Sequence, residues 1–472
     1  MLNILYLNTH DIGCYLEPYG YQVETPNLME LAKEGLIFRN TFCACPTCSP
    51  SRGALVTGQY PHSNGLIGLT HRGFTISDHS HHLASYLSGL GYETVLSGVQ
   101  HEGLLRRETE LGYQKVLNPE EYYRKDKKQS ELLTWQDEMA ARNAVSYLKE
   151  RDADSKPFFM AVGFGCTHRD YPEVPDDYDT AYVLPPKTIP DTPESRRDMA
   201  GLMIALKTVD SLCGTILKAL KETGEYDNTL ILFTTDHGVA FPKAKCNLND
   251  DGSKVSLLMT WPGMKRRRSA VDALISQVDL FPTLCTIAGL PIPDWIQGKS
   301  FLPVIEGEKE EIRDAVFSEI NYHVAYEPVR SVRTKRYRYV RHWEFGYPHP
   351  MAVHIDDGES KEIFHRCGYF ETIVPEEELY DLMLDPQEGN NLAGRLEYAE
   401  VLEDMRKRME EWQIETGDPL LGGKVSLPEG AIACTPDSYS TKTQVILPEC
   451  RQYLKNLKNV LQNAIEEKEN VL

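Results

Sequence analysis

Asn3-Ile4-Leu5-Tyr6-Leu7 is a short apolar run, and Thr25–Arg39 (TPNLMELAKEGLIFR) follows it after a loop. The first suits a parallel strand buried on both faces. The second carries the punctuation of a helix: Thr25 as cap, Pro26 at the first position, where its missing N–H costs nothing, and Gly35 at the end. The same grammar recurs downstream. Leu83–Leu90 reads as a helix before the strand Tyr92–Leu96, and Gln136–Lys149 as a helix before the strand Pro157–Phe164. Arg196–Thr223 reads as a long helix before the strand Thr229–Phe233. Strands alternating with helices predict an α/β domain around a mostly parallel sheet.

Past about residue 310 the pattern changes. Ala315–Glu319, Val329–Thr334 and Tyr337–Trp343 are short extended runs, and one helix is expected over Glu397–Thr416. The expected organisation is a catalytic domain over 1–310 and a smaller α+β subdomain with an antiparallel sheet over 311–425. An extension over 426–472 would end in a helix from Cys450 to Glu467.

The 472 residues are 41% hydrophobic and 25% charged, ordinary globular values that exclude a disordered chain or a coiled-coil rod. Fifty basic against 70 acidic side chains give a net charge of -20, which repels nucleic acid and anionic membrane. Neither is an expected partner. Met1–His10 lacks the basic and apolar regions of a secretory signal, so the expected location is the cytoplasm. The 11 scattered cysteines are expected to be reduced thiols.

In an open α/β sheet, ligands bind beyond the carboxyl ends of the strands. Asn8-Thr9-His10-Asp11 follows the first strand, and Ser97-Gly98-Val99-Gln100-His101 follows the run ending at Leu96. Gly165-Cys166-Thr167-His168-Arg169 follows Phe164, and Thr234-Thr235-Asp236-His237-Gly238 follows Phe233. A lone histidine is usually a satisfied structural residue. Four at equivalent strand ends, two beside an aspartate, are the makings of a metal and acid–base cluster. Neither a Walker A loop nor a GxGxxG fingerprint is present, so nucleotide cofactors are not indicated.

The sharpest signal is Cys45–Gly58 (CPTCSPSRGALVTG). Ser49 and Pro50 read as the cap and first position of a helix, placing Cys48 at its N-terminus near Arg52. The dipole and the guanidinium would lower the thiol pKa, as a reactive cysteine needs. The plainer reading is an inert buried thiol.

Cys48-Ser49-Pro50-Ser51-Arg52 with Gly58 resembles the C-x-P-x-R signature of the type I sulfatases, and the chain is most similar to the sulfamidase branch of that family. Supporting segments are Thr25–Leu28, Cys48–Asn64, Pro157–Arg169, Phe233–Leu248, Pro328–Val332, Glu378–Asp381 and Glu411–Pro419. The resemblance implies an alkaline-phosphatase-like fold and a nucleophile made by oxidising Cys48 to formylglycine, whose gem-diol attacks sulfur. It implies Asp11, Asp236 and His237 as metal ligands together with Cys48, and His10 as a weaker ligand or neighbour. Arg52 would hold the formylglycine oxygen, His101 would take a proton from the gem-diol, and His168 and Lys245 would meet the sulfate. Arg330, Arg169 and Arg72 are candidates for the rim of a pocket for one terminal sulfated sugar.

The chain departs from the family pattern at three points. His10 replaces a carboxylate and His237 an asparagine, a nitrogen-rich set that leaves manganese, magnesium or zinc open beside the expected calcium. Val99 stands in place of a lysine. The chain also begins without a leader, whereas animal sulfamidases are lysosomal, so the resemblance points to a bacterial enzyme. Implied partners are a small sulfated saccharide and a formylglycine-generating maturation enzyme, with a homo-oligomer left open. Other readings are a phosphonate monoester hydrolase or phosphodiesterase of the same superfamily, a silent sugar- or anion-binding relative, and histidines that merely solvate strand ends.

Overall fold

The computed structural model describes residues 1–124, 127–152, 154–349 and 351–454. Eight strands make the main sheet: β1 (Asn3–Thr9), β2 (Leu36–Phe38), β3 (Glu93–Gly98), β4 (Lys115–Val116), β5 (Phe158–Phe164), β6 (Thr229–Thr235), β7 (Leu257–Thr260) and β8 (Ser269–Val271). Their spatial order is β8-β2-β7-β6-β1-β5-β3-β4. β7 runs antiparallel to both its neighbours and the other pairings are parallel. All seven residues of β1 are buried, as its unbroken apolar run requires.

Successive β1 side chains feed opposite cores. Leu5 and Leu7 pack with helices α1 (Gln129–Glu150) and α2 (Pro193–Glu222) through Ala144, Leu148, Leu202 and Leu206. Ile4 and Tyr6 face the other side, where Leu55 and Val56 lie. Those two belong to the helix Cys48–Thr57, which closes with Gly58 in the left-handed region. It begins two residues earlier than the sequence suggests. Thr47 holds the extended cap position, so Ser49 and Pro50 lie inside the first turn.

The helix Pro26–Glu34 ends at Gly35 as its punctuation predicts, and the apolar residues Leu36–Phe38 that follow form the strand β2. Three apolar residues carry no period, and the switch occurs at Gly35, where a Cβ would stand 2.1 Å from the Met259 carbonyl oxygen.

The second sheet is antiparallel: β9 (Ala315–Tyr322), β10 (Tyr326–Thr334), β11 (Tyr337–His342) and β12 (Glu377–Asp381), in that order. The helix Ala399–Thr416 covers it through Leu402, Met405 and Met409. Within the extension, Cys434 bridges Ala325 and Ile446, and the Ile432 N–H donates to the Arg72 carbonyl. The expected terminal helix lies, beyond residue 454, outside the described residues. All eleven cysteines are free.

Candidate active site

The register of the main sheet aligns Thr9 with Phe164 on one side and Thr235 on the other. His10-Asp11 and Asp236-His237 therefore leave adjacent strands at one level, and Gly165–His168 starts beside them. Each turn is fixed by its own bonds. Thr167 Oγ1 donates to the His10 carbonyl, and Ser51 Oγ to the Asp236 carbonyl. Asp11 sits at φ +53°, a conformation that costs an L-residue energy and turns its amide toward Asp236 Oδ1 at 3.0 Å. Gly238 is required by close approach, because a Cβ there would meet the Asp251 carbonyl at 1.8 Å.

The result is a buried cluster around Cys48. Ligand atoms of His10, Asp11, Cys48 and Asp236 lie within 4.8 Å of one another, as do those of His10, Cys48 and His101. His237 Nε2 lies 3.2 Å from Asp11 Oδ1 and 3.4 Å from Cys48 Sγ. The Gly238 carbonyl can only accept, so His237 Nδ1 carries the proton and Nε2 presents its lone pair to the cluster. Asp11 Oδ1 is buried without a hydrogen-bond partner. His10 Nδ1 comes within 2.9 Å of Asp236 Oδ2 but is not aligned for a hydrogen bond. Carboxylate oxygens and imidazole nitrogens converging in this way fit a divalent cation. The oxygen and imidazole set admits calcium, manganese, magnesium or zinc.

Electrostatics prepare the same reading. For Asp236, burial works to raise the pKa, but His237, Arg52 and His10 together hold the carboxyl far below its usual range. Burial, reinforced by Arg52, pushes His10 down to about 4, so it is neutral at physiological pH as a ligand must be. His101 is likewise driven down by burial and by His10 and His71, and stays neutral. Arg52 donates to Asp236 Oδ2 at 3.1 Å, to Asn8 and to the Thr9 carbonyl.

Cys48 corrects one expectation. Burial raises its thiol well above the ordinary value, with Lys245 opposing and Asp11 and Asp236 adding to the rise. The helix N-terminus and Arg52 do not outweigh desolvation, so this thiol is not a ready thiolate.

Lys245 completes the site. Burial would lower its pKa, but Asp11 and Asp356 hold it protonated. Its Nζ donates to Asp11 Oδ2 at 2.9 Å and Asp356 Oδ2 at 2.8 Å, with His168 Nε2 at 3.3 Å. His168 Nδ1 donates to the Arg169 carbonyl, which turns Nε2 toward Lys245. Asp356 was missed by sequence reasoning; its only sequence signal is the acidic pair Asp356-Asp357 before Gly358.

The three rim arginines do not form a free cationic rim. Arg330 is fully buried and gives all its N–H groups to Asp418, Asn321 and the carbonyls of Ile320 and Val329. It builds the second sheet and cannot reach a ligand. Arg169 is buried in a bidentate pair with Asp198, its guanidinium 4.5 Å from the Tyr171 ring centre. Arg72 is buried against Cys434 and Gln444, its Nε without a partner.

Fold and site together set a candidate cation cluster beside buried basic side chains at the strand ends, the equipment of a hydrolase of anionic esters. The sulfatase family profile matches residues 3–290, and that of the N-sulphoglucosamine sulphohydrolase C-terminal region matches 241–363. The chain belongs to the sulfatase family and is a sulfatase. It is 29% identical to human N-sulphoglucosamine sulphohydrolase over 91% of this chain and 92% of that protein. It is 30% identical to a Formosa agariphila protein named an ulvan-active sulfatase, over 89% of this chain and 80% of that one. A solved 2-O glycosaminoglycan sulfatase superposes with a TM-score of 0.67 at 24% identity, over 90% of this chain and 95% of that one. The alkaline-phosphatase-like fold expected from the resemblance is the one found.

Proposed function

We propose that this sulfatase removes the sulfuryl group from one terminal glucosamine-type sugar, N-sulfated in the first instance, with a gem-diol made from Cys48 as nucleophile. The observation that carries this reading is the setting of Cys48. It is a buried, protonated thiol at the centre of a cation cluster, poor as a thiolate and well placed as the precursor of a hydrated aldehyde. The substrate class is supported by the matches to N-sulphoglucosamine sulphohydrolase, of the whole chain and of its C-terminal part.

Asp11, Asp236, His237 and His10, with the converted Cys48, would hold the divalent cation, calcium on family grounds, which when bound draws electron density from a sulfuryl oxygen. Arg52 holds Asp236 in place from behind. Lys245 offsets negative charge on the sulfuryl oxygens. His168 stands at the opening, where a leaving nitrogen or oxygen must take up a proton. His101, neutral and within 4.8 Å of Cys48 Sγ, is placed to accept the second gem-diol proton as sulfate is expelled. Serine lacks that second hydroxyl, so conversion of Cys48 by a maturation enzyme is required for turnover.

The test is sulfate release from glucosamine N-sulfate, glucosamine 6-O-sulfate and the matching phosphate ester, using protein co-expressed with a formylglycine-generating enzyme. The expected order places the sulfamate first. Faster phosphate release, or sulfate release from internal sugars of long heparan chains, would overturn the reading.

A further inference from the structure

The Lys245 ammonium has three N–H donors and, in this structure, three partners: Asp11, Asp356 and His168. A sulfuryl oxygen can reach it only by taking the place of one of them. Asp11 is sealed and belongs to the cation set. Asp356 is different: its side chain is 22% exposed and that of His168 28%, so these two form the open face of the cluster. A cavity of 670 Å³ opens beside them, lined by the residues that follow each in the chain, Arg169-Asp170 and Asp357-Gly358-Glu359. Its walls bring six carboxylates (Asp170, Glu173, Asp176, Asp198, Asp357, Glu359) against Arg169 and Arg197, and Arg169 is already spent on Asp198.

We propose that Asp356 determines specificity for the group that departs from sulfur. Displaced from Lys245 by the incoming sulfuryl oxygen, its carboxylate takes a hydrogen bond from an O–H or N–H that the substrate carries beside the sulfuryl group. The inference rests on the sulfatase-site reading above. A carboxylate left bare next to a sulfuryl anion repels it; a neighbouring donor turns that repulsion into a charge-assisted hydrogen bond. The site therefore selects sulfated sugars flanked by hydroxyl or amino groups over sulfate monoesters without them.

Binding tests this without turnover. On a Cys48→Ala background with metal bound, calorimetry compares glucosamine N-sulfate with cyclohexyl sulfate, which has no donor. With Asp356 present, the sugar should bind about 10–100-fold tighter. In the further variant Asp356→Asn, which keeps the shape and loses the charge, that preference should shrink to about threefold or less. An absent preference in the Asp356 protein overturns the proposal and needs no second variant to do so. So does a preference that Asp356→Asn leaves unchanged, because Asp356 would then only prop Lys245. Failure of both ligands to bind would count against the sulfatase-site reading itself and remove this inference with it.

Discussion

Two of the buried guanidinium–carboxylate centres in this molecule, one beside each sheet, are built to opposite rules. In the second sheet, Arg330 and Asp418 satisfy each other bidentately, and every other N–H and oxygen finds a partner among Asn321, Gln413, Leu420 and two carbonyls. At the end of the main sheet, Arg52 and Asp236 are equally buried, yet Asp11 Oδ1, His10 Nδ1 and His101 Nδ1 around them lack hydrogen bonds. Buried polar atoms are normally paired. A saturated network holds a fold together, and an unsaturated one is a socket for something else. The contrast separates two arginines that look equally functional in the sequence.

The largest expected effect breaks the socket. Asp236→Ala removes the carboxylate shared by Arg52, His10 and the cation set, and should lower kcat/KM by about three decades or more while metal content falls with it. Elemental analysis of the purified variant checks this. Full metal occupancy in Asp236→Ala would erase the distinction between the two centres.

Next comes the saturated centre. Arg330→Ala leaves Asp418 buried without its partner and should cost about 3–5 kcal/mol in denaturant unfolding. Its kcat/KM for a sulfated disaccharide and for a small aryl sulfate should change by the same factor, since Arg330 touches neither. A selective loss on the disaccharide would return Arg330 to the pocket rim.

The smallest effect is a matter of pH. Burial works to raise the pKa of Asp418, but Arg330 overcomes it and holds the carboxyl down to about 2, below the usual 3.8. A depressed carboxylate contributes stability that is complete above its unfolded pKa and is lost as pH falls through the folded one. About 2 kcal/mol should therefore disappear between about pH 4 and pH 2, measured by urea unfolding. Asp418→Asn should lack this acid-side slope. The same slope in wild type and variant would place the acid sensitivity elsewhere.

What could be read from the sequence follows from how each residue is held. Strand runs such as Asn3–Leu7 and Thr229–Phe233 declare themselves by unbroken apolarity, and parallel register then brings their following residues together. That is why Asp11, Asp236, His237 and His168 were legible as a group. Arg330 was not, because its partner Asp418 lies 88 residues further on, and nothing local tells an inward arginine from an outward one. Asp356 was not, because it arrives from an aperiodic stretch between the last two strands of the second sheet and acquires meaning only beside Lys245. The Cys48 thiol was misjudged because burial is not local in the sequence: desolvation raises it, Asp11 and Asp236 add to the rise, and the cation that opposes it is the distant Lys245.

The central claim is that Cys48 works only after its sulfur has been replaced. Mass spectrometry of the tryptic peptide spanning Cys48, from protein co-expressed with a maturation enzyme, tests it most directly. The account predicts a peptide that has lost hydrogen sulfide and gained one oxygen, in a fraction that rises in step with the specific sulfatase activity across preparations. A fully active preparation whose Cys48 peptide carries an intact thiol would contradict it.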